Sequence, residues 1–287
     1  MKSLKYKKLF LLTGLCLSMT IHSSAQYNEV GILLGVSNYK GELSPHLFNT
    51  DFLHFAIGGF YRHNWNRHWS YKLEVNYGRI SGDDSKSTIG YERNRNLSFY
   101  SDIIEISPQI EFNFFPYETG NSQFPFTPYL FTGLSVFHFN PKAELNGKVY
   151  ELQPLGTEGQ GLGGPLDLYN RIVMALPFGG GLKVSLGNVG FGIEVGARRT
   201  YTDYLDDVST TYPDFLNLLA ARGAAAVALS DRSVFLSDPA VTIPNHVGKQ
   251  RGNSNDPDWY MFTSLTICFR LKSPGKDSCS PFKRRRY

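Results

Sequence analysis

Apolar and polar side chains alternate with a period of two along much of this chain. In segment 28–39, Val30, Ile32 and Leu34 fall on one face, and Glu29 and Ser37 fall on the other. Successive side chains of a strand point to opposite faces, so the pattern predicts a strand between an apolar and a polar environment. It recurs in segments 69–78, 100–114, 190–198 and 259–271, and more weakly in 55–64, 129–139 and 172–186. We therefore predict an all-β fold with eight strands.

The predicted strands are long. Most cover roughly ten residues or more, whereas strands of soluble proteins cluster near five or six residues and a membrane-spanning strand needs about 9–11. Aromatic side chains also fall near the strand ends, where the interfacial girdles of membrane barrels lie. These residues are Trp65, Trp69, Tyr100, Phe114, Tyr129 and Trp259. Strand length and aromatic placement together predict an eight-stranded antiparallel outer-membrane β-barrel over residues 26–272.

The connections between the predicted strands alternate in length. Those at 65–67, 117–126 and 187–188 are short, and those at 40–54, 81–98, 140–171 and 200–258 are long. Outer-membrane barrels have short periplasmic turns and long extracellular loops, so this alternation favours the barrel. An even number of strands then predicts that both chain ends lie in the periplasm.

Charged residues on the polar strand faces predict a filled lumen. Five acids are balanced by five bases, and an eight-stranded barrel has an interior just wide enough for side chains to fill it. The ten residues are Glu29, Arg62, Lys72, Glu74, Glu105, Glu111, Lys183, Glu194, Arg198 and Arg270. Inside a barrel they would pair with one another and form a charge network, not an ion pathway. The alternative is the solvated face of a soluble sheet.

Two prolines conflict with this pattern. Pro108 and Pro177 fall inside predicted strands, where each lacks a backbone N–H donor. A closed barrel has no free edge at which a missing donor is harmless, so we expect a β-bulge at each proline or different strand limits.

Composition excludes several other classes of protein. The 287 residues are 41% hydrophobic, and 29 Lys and Arg against 25 Asp and Glu give a net charge of +4. A disordered polyelectrolyte would be more charged and less apolar, and a nucleic-acid partner would require a concentrated basic face. Only the N-terminal stretch approaches the roughly 20 apolar residues of a spanning helix.

The two chain ends predict targeting and contact functions. Residues 1–25 have a basic start, an apolar run and small residues before Gln26, which is the pattern of a secretory signal peptide. Residues 273–287 form a basic periplasmic tail, whose candidate partner-binding residues are Lys276, Lys283, Arg284, Arg285 and Arg286. Such a tail fits an acidic partner, or it is simply solvated. Export also permits a disulfide between Cys268 and Cys279, with two free thiols as the alternative.

No catalytic set or cofactor motif stands out in the sequence. The glycine-rich segment 156–164 lacks the Gly-Lys-Ser/Thr ending of a phosphate loop, and no cofactor is expected. Asp203, Asp206 and Asp207 form a weak candidate calcium site of hard oxygen ligands, although their spacing does not match an EF-hand. The alternative is that they cap turns and pair with Arg198 and Arg199. Segment 216–229 is rich in Ala and Leu and predicts a short helix.

Several segments of the chain resemble the PorG family of Bacteroidetes outer-membrane proteins, which are subunits of the type IX secretion system. The segments are GILLGVSNYKGEL at 31–43, YELQPLGTEGQG at 150–161, PFGGG at 177–181, RRTYTDYLDDVSTTY at 198–212 and DWYMF at 258–262. The second and fourth are long and distinctive, and the resemblance spans essentially the whole mature chain. The Ala-rich segment 219–229 departs from the family pattern.

This resemblance implies a non-enzymatic structural subunit of a protein-export machine that, in gliding relatives, also delivers adhesins. Its expected partners are outer-membrane lipid and the periplasmic ring of the PorK lipoprotein and PorN, and the barrel would anchor or stabilise that ring. Three other functions stay open from the residues alone. They are a small porin-like or ligand-binding barrel, an outer-membrane enzyme with an acid–base set at its outer rim, and a soluble β-barrel binder.

Overall fold

A computed structural model describes residues 26–46, 48–233 and 246–271 of the chain. The predicted signal peptide, the basic tail with its five cations, and Cys279 lie outside the described residues. The described strands are β1 (Tyr27–Lys40), β2 (His54–Asn64), β3 (Trp69–Asp83), β4 (Ser98–Asn113), β5 (Phe126–Gly133), β6 (Ser135–His138), β7 (Lys142–Leu145), β8 (Lys148–Glu151), β9 (Ile172–Leu186), β10 (Val189–Thr200) and β11 (Trp259–Leu271).

The long strands close into a ring. The order is β3-β2-β1-β11-β10-β9-β5-β4, and β4 pairs with β3 to complete the circle. β6 continues β5 and lies between the same two neighbours, β4 and β9, so the ring contains eight strand positions, all antiparallel. A closed ring leaves no strand edge unpaired, which the hydrocarbon of a membrane requires. The predicted eight-stranded antiparallel barrel is therefore confirmed.

The prediction of β-bulges at the two prolines was wrong. Gln109 pairs with Gly133 and Ile106 pairs with Val136, so β4 keeps one register past Pro108. β9 likewise keeps one register past Pro177. Pro108 lies opposite Leu134, at the short break between β5 and β6, and the Leu134 N–H still donates to the Pro108 carbonyl at 3.1 Å. Pro177 lies opposite Gly133, the residue just before this break. The two absent proline N–H groups thus lie at the one break between β5 and β6, and neither β4 nor β9 contains an inserted residue at its proline.

The outward faces of the strands form a continuous apolar band. Large side chains exposed on this band include Val30, Ile32, Ile57, Leu73, Val75, Ile104, Ile106, Leu130, Val136, Phe191, Val195 and Leu265. So much exposed apolar surface fits contact with lipid. Trp65, Trp69 and Phe114 are exposed near the short-turn end, as the girdle prediction requires. Tyr129 is an exception to that prediction, because it is buried inside the barrel, where its hydroxyl binds a carboxylate.

One end of the barrel carries short turns and the other carries long loops. The turns link β2 to β3, β4 to β5 and β9 to β10, and residues Tyr27 and Leu271 lie at this short-turn end. The four long loops follow β1, β3, β6 and β10, and contain the β7–β8 hairpin. They also contain helices α1 (Gly90–Arg95), α2 (Leu152–Leu155), α3 (Phe215–Arg222) and α4 (Ala224–Ser230), with 3-10 turns at Thr50–Phe52 and Asp84–Lys86.

The helix predicted in the Ala- and Leu-rich segment is present as two short helices. Gly223 separates α3 from α4 and has a φ of 84°, a conformation that interrupts an α-helix and favours glycine. The Asp214 carboxylate caps α3 by accepting from the backbone N–H groups of Leu216 and Asn217. Within the described ranges, no helix has both the length and the apolar character needed to cross a membrane.

Candidate functional site

The lumen contains a network of buried ion pairs. Near the short-turn end, Arg62 on β2 is 2.9 Å from Glu29 on β1 and 2.8 Å from Glu111 on β4. Lys183 on β9 reaches the same Glu111 at 2.5 Å. Thr119, in the turn between β4 and β5, donates its hydroxyl to Glu29. The Glu111 carboxylate thus binds basic side chains from both sides of its strand, Arg62 on β2 and Lys183 on β9.

A second group of ion pairs fills the middle of the lumen. Lys72 on β3 is 2.7 Å from Glu74 on its own strand and 2.7 Å from Glu194 on β10. It also lies 3.4 Å from Glu111, which connects this group to the first. The Tyr129 hydroxyl donates to Glu194 at 2.5 Å. The buried charges of the lumen are therefore paired with one another. This pairing compensates for the hydration that each charge loses on burial.

Arg198 extends the network toward the long-loop end. It is fully buried and lies 3.1 Å from Glu105 on β4 and 3.4 Å from Glu74. The Tyr260 hydroxyl donates to Glu105 at 2.5 Å from the opposite wall. Arg198 therefore points into the lumen, and the alternative in which it pairs with the aspartates of the last loop is wrong.

Arg270 differs from the other nine predicted interior charges. Its side chain is 34% exposed, and it binds Glu118 in the turn after β4 at 3.1 Å. Its guanidinium lies 4.5 Å from the centre of the Tyr27 ring. Arg270 thus belongs to the rim of the short-turn end, because it lies one residue from the end of β11. Cys268, two residues earlier, is buried and forms no disulfide with any residue that the structure describes.

Glycines on β9 and β10 make room for aromatic side chains of β5 inside the barrel. A Cβ at Gly181 would lie 2.8 Å from the Tyr129 ring, and a Cβ at Gly196 would lie 2.6 Å from the Phe131 ring. This packing explains the apolar character of both faces of segment 129–139, since one face meets lipid and the other meets these glycines. It also gives the PFGGG segment a physical function in filling the lumen.

The long loops pack into a common buried structure, which we call the loop cap. The Tyr39 hydroxyl at the end of β1 donates to Asp206 at 2.6 Å and to Asp258 at 3.2 Å. The Glu158 carboxylate accepts from the backbone N–H of Ser209 at 2.8 Å. These contacts join segments 31–43, 150–161, 198–212 and 258–262, so four segments that carry the family resemblance meet at one end of the barrel.

Two arginines stabilise the loop cap from within. Arg251 is buried and lies 3.0 Å from Glu158 and 3.9 Å from Asp207. Arg95 on α1 lies 2.8 Å from Asp84 and donates to the backbone carbonyl of Arg251 at 2.7 Å. Sequence analysis did not single out Arg95, Glu158 or Arg251, because they lie outside the alternating segments and only the fold brings them together.

The three aspartates of the predicted calcium site do not meet at one point. The Asp207 carboxylate accepts hydrogen bonds from the hydroxyl groups of Thr157 and Tyr169 and forms an ion pair with Arg251. Asp206 accepts from Tyr39 and from the backbone N–H of Val208. Only Asp203 lies in a compact carboxylate cluster, whose other members come from more distant parts of the chain. The structure does not bring the three aspartates together as one ligand set, because consecutive side chains of this tight turn point in different directions, with Asp207 at a φ of 67°.

Burial changes the acidity of these loop carboxylates. It raises the pKa of Asp206 to about 6 and that of Asp207 to about 7. Burial also raises the pKa of Glu42 to about 9 and that of Asp203 to about 8, and the negative charge of Asp206 adds to both shifts. Arg251 and the two hydroxyl groups oppose the shift at Asp207.

A serine, a histidine and an aspartate meet at the edge of the loop cap without catalytic geometry. The Asp231 carboxylate accepts from Ser233 at 2.6 Å and contacts Nδ1 of His246 at 2.6 Å. In a catalytic triad the serine faces the ring nitrogen opposite the one that binds the acid. Here the Ser233 hydroxyl lies 3.4 Å from the same Nδ1, so the histidine is not placed between acid and nucleophile.

Three solved structures of small outer-membrane barrels are similar to this chain. The β-barrel domain of Pseudomonas aeruginosa OprF is 10% identical, with 86% of this chain and 99% of that chain covered at a TM-score of 0.36. Ail of Yersinia pestis is 10% identical with the same coverage at 0.38. Neisserial surface protein A is 9% identical, with 85% and 97% covered at 0.40. No curated protein matches this sequence.

A family model covers most of the chain. The model matches residues 7–222, from the N-terminal segment through the eight-residue helix α3 of the last long loop. The matched part contains every strand except β11, which closes the ring between β10 and β1. This protein, an eight-stranded antiparallel β-barrel, belongs to the DUF6089 family, whose model is described as a domain of unknown function.

Proposed function

We propose that this chain is a non-enzymatic outer-membrane subunit of a type IX protein secretion system, which anchors or stabilises the periplasmic PorK/PorN ring. The observation that carries the proposal is the filled lumen, in which Lys72 binds Glu194 and Arg198 binds Glu74, each on the opposite wall. A barrel filled in this way holds a position in the membrane without opening a path across it. Such a barrel suits an anchor better than a channel.

The orientation in the membrane is part of this proposal. Outer-membrane barrels place short turns in the periplasm and long loops outside the cell. The short-turn end, where Tyr27 and Leu271 lie, would then face the PorK/PorN ring. The sequence that follows β11 contains Lys276, Lys283, Arg284, Arg285 and Arg286, which supply positive charge for an acidic ring surface.

Affinity purification tests the proposal directly. The full chain would be tagged, expressed from its own locus and extracted from outer membranes in mild detergent, and the co-eluting proteins would be identified by mass spectrometry. We expect PorK and PorN with the full chain and much less of both after deletion of residues 273–287. A tagged barrel of equal strand number serves as the control. Elution without PorK and PorN under crosslinking conditions would refute the assignment.

A porin-like barrel is the rival function, and the lumen argues against it. An open pore needs a continuous water-filled path. In this lumen, four buried basic side chains each lie within 3.4 Å of a carboxylate. These cations are Arg62, Lys72, Lys183 and Arg198. Conductance measurements separate the two functions.

A further inference from the structure

Three carboxylates from separate parts of the chain meet inside the loop cap. Glu42 lies in the loop after β1, and Asp203 and Asp258 lie at the beginning and the end of the loop after β10. One carboxylate oxygen from each lies within 4.8 Å of the other two. Two oxygens on opposite sides of a calcium ion, each at about 2.4 Å, would be about 4.8 Å apart, so a single ion could contact all three.

The oxygens of this cluster have unmet bonding capacity. Both carboxylate oxygens of Asp203 and Oε2 of Glu42 are buried, and none of the three accepts a hydrogen bond. The Ser209 hydroxyl lies near Asp203 but makes no hydrogen bond of normal geometry to it. Asp258 is completely buried and accepts from Tyr39 and from the backbone N–H of Leu205. Buried carboxylate oxygens without donors cost free energy unless a ligand compensates them.

The cluster also lacks a basic partner, in contrast to two other buried carboxylates of the loop cap. Asp84 has Arg95 at 2.8 Å, and Glu158 has Arg251 at 3.0 Å. Among the described residues, no Lys, Arg or His side chain forms an ion pair with Glu42, Asp203 or Asp258. The same loops therefore pair their buried acids at two places and leave three acids together at a third.

We propose that Glu42, Asp203 and Asp258 bind a divalent cation of the size and hardness of calcium. Carboxylate oxygens are the ligands that calcium prefers, and the ion accepts six to eight oxygens in flexible geometry, so backbone carbonyls and water complete the set. The Tyr39 hydroxyl, which also donates to Asp206, donates to the proposed ligand Asp258 and helps to hold it in place. The ion would tie the loop after β1 to both ends of the loop after β10 and so stabilise the cap.

Terbium luminescence tests this site on the purified, folded full chain in detergent. Terbium replaces calcium at oxygen sites, and Tyr39, whose hydroxyl lies 3.2 Å from Asp258, would sensitise its emission. We expect saturable emission that calcium displaces and that magnesium displaces at least tenfold less well. Calcium should also raise the melting temperature of the barrel. These measurements need no secretion partner, so they are independent of the proposed secretion function.

Matched variants separate this site from general surface charge. Asp203→Asn and Glu42→Gln should each weaken terbium binding at least tenfold. Both should fold, because each removes a carboxylate that lacks a basic partner. Asp167→Asn removes an exposed acid of the loop after β6 and should bind terbium as the parent protein does. The proposal is overturned by absence of saturable emission, by equal displacement with magnesium, or by equal loss of binding in all three variants.

Discussion

Lys72 on β3 and Glu194 on β10 meet across the centre of the barrel, with 2.7 Å between the ammonium nitrogen and the carboxylate oxygen. The two strands are four positions apart in a ring of eight, so the residues come from opposite walls. Tyr260 on β11 and Glu105 on β4, also four positions apart, meet in the same way at 2.5 Å. Side chains therefore span the full width of the lumen at two levels.

Replacing Lys72 with methionine should strongly destabilise the barrel. The substitution keeps the length of the side chain but leaves Glu74 and Glu194 buried without this cation, at an expected cost of about 3–5 kcal/mol. Urea titration followed by the folded and unfolded bands on cold electrophoresis measures the change. Lys148→Met on the exposed strand β8 is the control and should have little effect. The double variant Lys72→Met, Glu194→Gln should recover part of the loss, and an equal loss in single and double variants would contradict the pairing.

The purified barrel should not conduct ions. Lys72, Arg62, Lys183 and Arg198 are all bound to carboxylates, so these four bases of the described lumen are not free to line a water path. Planar bilayers containing the refolded full chain should therefore give no stable current steps at 1 M salt, where a general porin gives clear steps in parallel. Reproducible unitary currents that scale with protein concentration would favour the porin-like function instead.

Stability of the loop cap should depend on the protonation of Asp207. Burial raises the pKa of this carboxyl to about 7, whereas the same carboxyl in the unfolded chain has a pKa of about 3.9. The folded state thus holds more protons between these values, so this group makes stability fall as pH rises from about 4 to about 7. Asp207→Asn removes that contribution, and the variant should gain stability relative to the parent between pH 5 and pH 8. Melting curves at both pH values measure this, and a constant difference would contradict it.

Cysteine labelling should reveal the orientation in the membrane. Asn66 is exposed in the short turn after β2, and Ser254 is exposed in the long loop after β10. In a Cys279→Ser background, an impermeant maleimide added to intact cells should label Ser254→Cys and leave Asn66→Cys unlabelled until the outer membrane is permeabilised. The buried thiol of Cys268 should stay unlabelled in both variants. The opposite pattern would invert the proposed topology.

The barrel was predictable from the sequence because its pattern is local. Period-two alternation needs only neighbouring residues, and it located all eight strand positions, including the limits 172–186 and 259–271. The effect of the prolines was not predictable, because Pro108 and Pro177 are separated by 69 positions in sequence. They come to lie at the break between β5 and β6 only because β4 and β9 both pair with this strand position.

The interior of the loop cap could be predicted only in part. The high charge density of segment 203–207 indicated a possible cation site. However, the carboxylates that lie near Asp203 are those of Glu42 and Asp258, which are distant in sequence. No periodic rule links residues in irregular loops, because their side-chain directions depend on individual backbone angles. A sequence signal was nevertheless present, since Glu42, Asp203 and Asp258 all lie inside segments that carry the family resemblance.

The long loops are buried against one another, and this packing limits where they can accept sequence changes or insertions. Exposed loops of a membrane barrel commonly diverge or accept insertions independently of one another. Here Tyr39, Glu158 and Asp258 belong to three different loops or loop edges and contact a common segment around Asp206 and Ser209. A foreign peptide displayed at this end of the molecule would therefore be accommodated at the β7–β8 hairpin turn, around Gly147, where an added side-chain carbon meets nothing within 4 Å. The same insertion beside Asp206 would disrupt three loops at once.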